Sequence, residues 1–204
     1  DIEQLVLSYC DVLFYPLVDE VYPPGYSGKQ YDLGKIETIL EGKFRPGHFQ
    51  GVCQVMDRLL HIVEPGTLYL GQKDYQQCLV IKKLVQLLGK ENEIKLNFVE
   101  TKREPDGLAM SSRNLRLTPE QRQKAVAIFK CLTFIKENYL KADLLKLKKC
   151  ATDTLTSEGF NVDYVEIADA EDLRIVAHPT SRSLVALVAA TIGGVRLIDN
   201  ILLN

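Results

Sequence analysis

The sequence lacks the short motifs that most directly announce a function. It has no C-x-x-C pair, no G-x-G-x-x-G or G-x-x-x-x-G-K-[ST] loop and no G-x-S-x-G elbow, so zinc-site, dinucleotide, P-loop and nucleophile-elbow readings all lose their key signature. Cys10, Cys53, Cys78, Cys131 and Cys150 are odd in number and unpaired in spacing. That pattern predicts no disulfide framework and a reducing, cytoplasmic setting. Nor is there an excess of one charge: 25 basic against 27 acidic residues leave a formal net charge of -2. A generally basic nucleic-acid binder and a disordered acidic tail are both excluded by that balance. The uncharged stretch from Ser183 to Val195 is far shorter than the ~20 residues that span a bilayer, so no membrane role is expected. The opening Asp1-Ile2-Glu3-Gln4 carries no methionine and no basic or apolar leader, which predicts no signal peptide and a start within a helix.

What is present is an ordinary globular composition, 46% hydrophobic and 25% charged over 204 residues, enough for a substantial core. Ile2, Leu5, Val6 and Tyr9 fall at helical spacing, and Val12-Leu13-Phe14 reads as a short buried strand. From Val18 to Gly42 the pattern breaks into loop chemistry. Phe49, Val52, Val55, Met56, Leu59, Leu60 and Val63 then predict an amphipathic helix. Thr67 to Leu70 reads as a strand, Tyr75 to Leu88 as a helix and Ile94 to Val99 as another strand. Such alternation implies a parallel sheet, whose ligands sit beyond the carboxyl ends of its strands. Thr118-Pro119-Glu120-Gln121 is a capping box that opens a helix to about Asn138. A second helix, from about Ala142 to Ser157, precedes strands over 162–167, 184–189 and 195–202, with Gly193-Gly194 turning between the last two. These residues predict a parallel-sheet α/β domain over 1–116 and a small α+β domain over 117–204.

Four segments carry chemistry. Arg45 and His48, in Arg45-Pro46-Gly47-His48, fall at a helix N-terminus, where free N–H groups favour anions. A solvent-exposed arginine and a capping histidine are the plainer reading of the same residues. Gly71-Gln72-Lys73-Asp74 follows a strand at once, offering a close backbone approach and a mobile cation in Lys73. There Asp74 either caps the next helix or holds a metal-bound water, and Gln77 stands on the helix face above. Met110-Ser111-Ser112-Arg113-Asn114 ends a long polar loop and supplies two hydroxyls, a guanidinium and an amide, a set suited to phosphate oxygens. Asp1 and Gln4 share one face of the opening helix. His61 reads as a partly buried histidine and His178 has no constellation around it.

Taken in order, Arg45 to Val52, Gly71 to Gln77 and Asp106 to Asn114 resemble the pantothenate synthetase (pantoate–β-alanine ligase) family. The likeness extends through Asp11 to Phe14, Val21-Tyr22-Pro23 and Val195 to Asn200. The resemblance implies a Rossmann-like, usually dimeric, nucleotidylyltransferase fold. It also implies ligation of pantoate and β-alanine through a pantoyl adenylate, with ATP and Mg2+. By motif, Lys73, Ser111, Ser112 and Arg113 would act on the ATP phosphates. Gly71, Gln72, Asp74 and Met110 would line the nucleotide, and Gln77 would bind pantoate. Arg45 and His48 would frame the cleft, and Asp1 with Gln4 would help place magnesium. The family's H-x-G-H motif has no counterpart here, so a fragment of a longer enzyme is expected. An inert binding or dimerisation module of the same fold is the alternative.

Overall fold

The computed structural model describes residues 2–203. The opening helix α1 (Ile2–Leu7) and the single-turn α2 (Val18–Val21) lie on the surface and bury almost nothing. Between them Val12-Leu13-Phe14 is not a strand: these side chains are 81%, 45% and 46% exposed. Three apolar residues do not make a strand without a partner to take their backbone hydrogen bonds, and no described strand lies alongside. The region expected to be loop contains a 3₁₀ turn at Gly34–Glu37 and one helical turn, α3 (Glu41–Phe44).

The amphipathic helix α4 (His48–Val63) buries Phe49, Cys53 and Leu60 along one face. A turn through Pro65 and Gly66 leads into β1 (Thr67–Gly71), the 3₁₀ turn Gln72–Asp74, α5 (Tyr75–Leu87) and β2 (Lys95–Val99). β1 and β2 pair in parallel, Thr67 opposite Lys95 and Gly71 opposite Val99, as a helical crossover requires. Val80 and Leu84 of α5 join Phe49 and Cys53 in one apolar cluster, and Val85 joins Leu60 and Ile94 in another.

Thr118 opens α6 (Pro119–Asn138) with the expected capping box, its hydroxyl accepting from the Gln121 amide at 3.3 Å and the Gln121 side chain returning to the Thr118 amide at 3.0 Å. Asp143 caps α7 (Leu144–Ser157) with a single bond, its carboxylate accepting from the Lys146 amide at 2.9 Å. An antiparallel meander follows, β3 (Asn161–Asp169), β4 (Leu184–Ile192) and β5 (Val195–Leu202), with β4 central. The alternation of β4 explains why its whole length is apolar. Leu184, Ala186, Val188 and Ala190 face α6 and α7, whereas Val185 and Leu187 face Leu40, Tyr75 and Leu79. The C-terminal sheet is thus packed on both sides, and its second face is the one that carries α3 and α5. The Tyr75 hydroxyl seals that contact by donating to the Ala170 carbonyl at 2.7 Å. An α/β fold with a parallel pair of strands and a separate C-terminal antiparallel sheet is therefore what the chain adopts.

Candidate active site

Beyond the carboxyl end of β1 the two halves of the chain enclose a cleft. One part, about 380 Å³, is bordered by Glu41, Arg45, His48, Asp74, Gln77 and Asn200. The other, about 290 Å³, is bordered by Ser111, Arg113, Asn114 and Arg196. Lys73, Ile198 and Asp199 border both, so the two parts form one continuous depression.

Most of the residues singled out from the sequence meet here. Arg45, His48, Lys73, Asp74 and Gln77 line the first part, and Lys73, Ser111 and Arg113 the second. Ser112 and Met110 belong to the same loop but point to solvent. Gly71 and Gln72 support the site from behind. The Gly71 carbonyl accepts from the Cys78 thiol at 3.3 Å, and Gln72 borders a separate opening beside Thr101 and Arg103. Gln4 lies exposed on α1 and borders neither part of the cleft, and Asp1 falls outside the described residues. His61 is exposed rather than partly buried, because it lies on the solvent side of α4.

Local backbone geometry explains the placement. Gly47 takes φ +78° immediately before His48, and no side chain caps α4; the His48 amide is taken by the Arg45 carbonyl at 3.1 Å instead. His48 therefore does not cap the helix. Asp74 likewise makes no capping bond to α5, which leaves its carboxylate for the cleft. Glu41 owes its position to Gly42, where a Cβ would overlap the Glu37 carbonyl. Glu41 and its partners are the residues that periodicity did not reveal. Its carboxylate, 9% exposed, accepts from Arg196 Nη1 at 2.8 Å and Nη2 at 2.7 Å, and from the Tyr164 hydroxyl at 2.9 Å. Arg196 Nε donates to Asp163 at 2.7 Å. Burial pushes the Glu41 carboxyl upward, but the Arg196 fork outweighs it and holds the group below the ordinary carboxylate value. Across the cleft Asp199 takes a second fork, from Arg103 at 2.7 and 3.0 Å. A charged or amide residue inside the apolar run Val195 to Leu203 was the available signal for Arg196, Asp199 and Asn200.

The arginines divide by whether their charge is spent. Arg196 and Arg103 are neutralised by buried carboxylates. Lys73 has no ion-pair or hydrogen-bond partner for its ammonium among the described residues. Among the described residues the Arg113 guanidinium donates only to the Arg196 carbonyl, at 3.4 Å. Arg45 reaches Glu41 at 3.9 Å, a carboxylate already occupied. His48 is held below its usual value, by burial first and by Arg45 second, so near neutral pH it adds a hydrogen-bonding ring rather than charge. Lys73 and Arg113, without a carboxylate partner among the described residues, thus converge with Arg45 on one concave surface, an arrangement that binds a polyanion.

The family model for pantoate–β-alanine ligase matches residues 1–202. The chain belongs to the pantoate–β-alanine ligase family. The pantothenate synthetase of Thermotoga neapolitana is 42% identical over 198 residues, covering 95% of this chain and 69% of that protein. The enzyme of Acetivibrio thermocellus is 45% identical over 198 residues, with the same coverage of 95% and 69%. Among solved structures, pantothenate synthetase from Thermus thermophilus superimposes with a TM-score of 0.90 at 36% identity, covering 98% of this chain and 74% of that one. The ligase from Francisella tularensis, solved with β,γ-ATP and β-alanine, superimposes with a TM-score of 0.76 at 35% identity, covering 99% and 68%.

Proposed function

We propose that this member of the family joins pantoate to β-alanine at the expense of ATP by way of a pantoyl adenylate. A pantoate carboxylate oxygen attacks the α-phosphorus, and the bond to the bridging oxygen breaks to release pyrophosphate. The β-alanine amine then attacks the activated carbonyl, loses a proton, and AMP departs. Both substrates of the first step are anions, so the site must hold them together against their repulsion and stabilise charge growing on the phosphates. The unpaired charge of Lys73 and Arg113 around one cleft, with Arg45 beside them, carries this reading.

In it Lys73 meets the charge developing at the α-phosphate, while Ser111, Ser112 and Arg113 close over the triphosphate. Met110, Gly71, Gln72 and Asp74 border the nucleotide, and Gln77 binds pantoate through its amide. Arg45 and His48 frame the cleft beside the N-terminus of α4. No group of three His, Cys, Asp or Glu side chains forms a metal cage among the described residues. Magnesium that arrives on phosphate oxygens needs only one or two carboxylates, and the uncapped Asp74 carboxylate fits that demand. Asp1 and Gln4 remain proposed contributors on resemblance alone. The reading also divides the chain at residues 116 and 117 and has it work as a homodimer in the cytoplasm.

The test is Lys73→Ala. Pantoate-dependent pyrophosphate release is expected to fall at least ~100-fold, the scale of removing one preorganised electrostatic contact, with little change in thermal midpoint. Normal turnover in that variant refutes the role of Lys73. Calorimetric titration of this chain with ATP and pantoate separates the enzyme from the inert module, which gives no pantoate-dependent ATP consumption.

A further inference from the structure

The turn that carries Lys73 and the loop that carries Ser111 and Arg113 make no hydrogen bond to each other among the described residues, yet the chemistry needs them in register. Both are tied to the same two residues of β5. Asn200 is 2% exposed, and its Nδ2 donates to the carbonyls of Gln72 and Lys73, each at 2.9 Å. One amide group therefore holds two consecutive peptide units. Each unit is planar, so fixing the planes on either side of the Lys73 Cα fixes its φ and ψ, and with them the direction of its Cα–Cβ bond. On the other side, Asp199 grips Arg103 through both carboxylate oxygens. Arg103 also donates to the Gly107 carbonyl at 3.0 Å and lies 4.5 Å over the Phe129 ring. The Asn200 carbonyl accepts from the same guanidinium at 3.2 Å.

We propose that Asn200 is a positioning residue for the adenylyl-transfer step, clamping the Gln72 and Lys73 carbonyls so that the Lys73 ammonium is aimed at the α-phosphate. The proposal rests on the role given to Lys73 above and adds the residue that enforces it from the far end of the chain. Asn200 touches neither reacting atom in this scheme and acts wholly through the backbone of Lys73. A carboxylate at the same position would turn a donor into an acceptor facing two carbonyl oxygens.

The experiment measures pantoate-dependent pyrophosphate release in the intact protein for Asn200→Asp and Asn200→Ala, each alone and combined with Lys73→Ala. A displacement of ~1 Å at a positioned group costs on the order of 100-fold, so kcat is expected to fall ~100-fold in Asn200→Asp and at least ~10-fold in Asn200→Ala. KM for ATP changes less than ~3-fold, since Arg113 and Ser111 keep their places. In the Lys73→Ala background either Asn200 change is expected to cost less than ~2-fold, because a residue acting through Lys73 has nothing left to aim. Asn200 borders both the cleft beside Lys73 and the opening lined by Gln72, Thr101 and Arg103, so in Asn200→Ala water can reach the freed carbonyls, and this variant serves if Asn200→Asp does not fold. The same fold-loss in both backgrounds, or wild-type kcat in Asn200→Ala, overturns the proposal while leaving the role of Lys73 intact. Unimpaired turnover in Lys73→Ala alone removes the role of Lys73, and the aiming function with it.

Discussion

Arg196 ties α3 to β5 across the two halves, and its removal has a calculable cost. Arg196→Met keeps much of the side-chain length and apolar stem while deleting a guanidinium that serves Glu41 from β5 through two bonds and Asp163 through a third. Removing one partner of a buried ion pair costs ~3–5 kcal/mol, mostly as the penalty of leaving the other charge without compensation. Here Glu41 is 9% and Arg196 24% exposed, and Glu41 retains the Tyr164 hydroxyl and the distant Arg45. Both facts favour the low end, about 3 kcal/mol. For a chain of this size that corresponds to a fall in Tm of about 6–12 °C. Because Glu41 stands on α3 and Arg196 on β5, the loss falls on the contact between halves, and the α3 amides should exchange faster than those of α6.

The assay is a thermal melt of four proteins: wild type, Arg196→Met, Glu41→Gln and the double variant. The double variant is expected to be more stable than Arg196→Met by at least about 1 kcal/mol, since it no longer buries an unpaired Glu41 carboxylate while Asp163 loses its partner in both. A Tm within 2 °C of wild type for Arg196→Met, or a double variant no better than that single one, would falsify the account of this ion pair.

Two further outcomes follow from the same geometry. The Glu41 carboxyl titrates lower in the folded protein than in the unfolded chain, so its contribution is fully present above the ordinary carboxylate value and is lost as pH falls through the lowered one. Wild-type Tm should therefore decline on acidification below about pH 4.5, and a pH series of melts should show a shallower decline in Arg196→Met, with parallel curves counting against the pair. Gly107→Ala addresses the loop instead: Gly107 has φ +91° and a Cβ there would overlap the Phe129 ring. The variant is expected to lose about 1–3 kcal/mol and to weaken ATP binding by calorimetry, whereas wild-type stability would show that the loop shifts freely away from α6.

The regular elements were legible because their cores obey a period. Helical spacing from Phe49 to Val63 and the capping box at Thr118 led directly to α4 and α6, and Gly193-Gly194 marked the β4–β5 turn. Val12-Leu13-Phe14 misled for a related reason. A short apolar run satisfies the composition of a strand, but whether it pairs depends on what lies beside it. The site was half legible. Lys73 and Ser111–Arg113 announced themselves as polar groups placed where a parallel sheet delivers its ligands. Glu41 and Arg196 stand 155 positions apart, and no local pattern couples residues at that distance. Asp74 shows the converse limit, since its position at a helix start suggested a cap and its side chain makes none.

The division of the cationic residues into spent and unspent charge bears on why the last strand of the chain is built as it is. A cleft of free cations alone would repel itself and relax into solvent, because long side chains lose rotamer freedom when held together. Here Arg196 and Arg103 are each locked by a buried carboxylate, and each then acts through its neighbourhood rather than through its charge. Arg196 offers its carbonyl to Arg113, and Arg103 carries the Gly107 loop on Asp199. Asp199 itself titrates above the usual carboxylate value, because burial outweighs the Arg103 fork and the nearby Lys73. That fork is therefore not a free gain in stability. Its persistence is accounted for by what it holds in place, namely the loop that brings Ser111 and Arg113 to face Lys73. Replacing the Arg103–Asp199 pair by apolar residues of equal volume would, on this argument, preserve the fold and separate the two arms of the cleft.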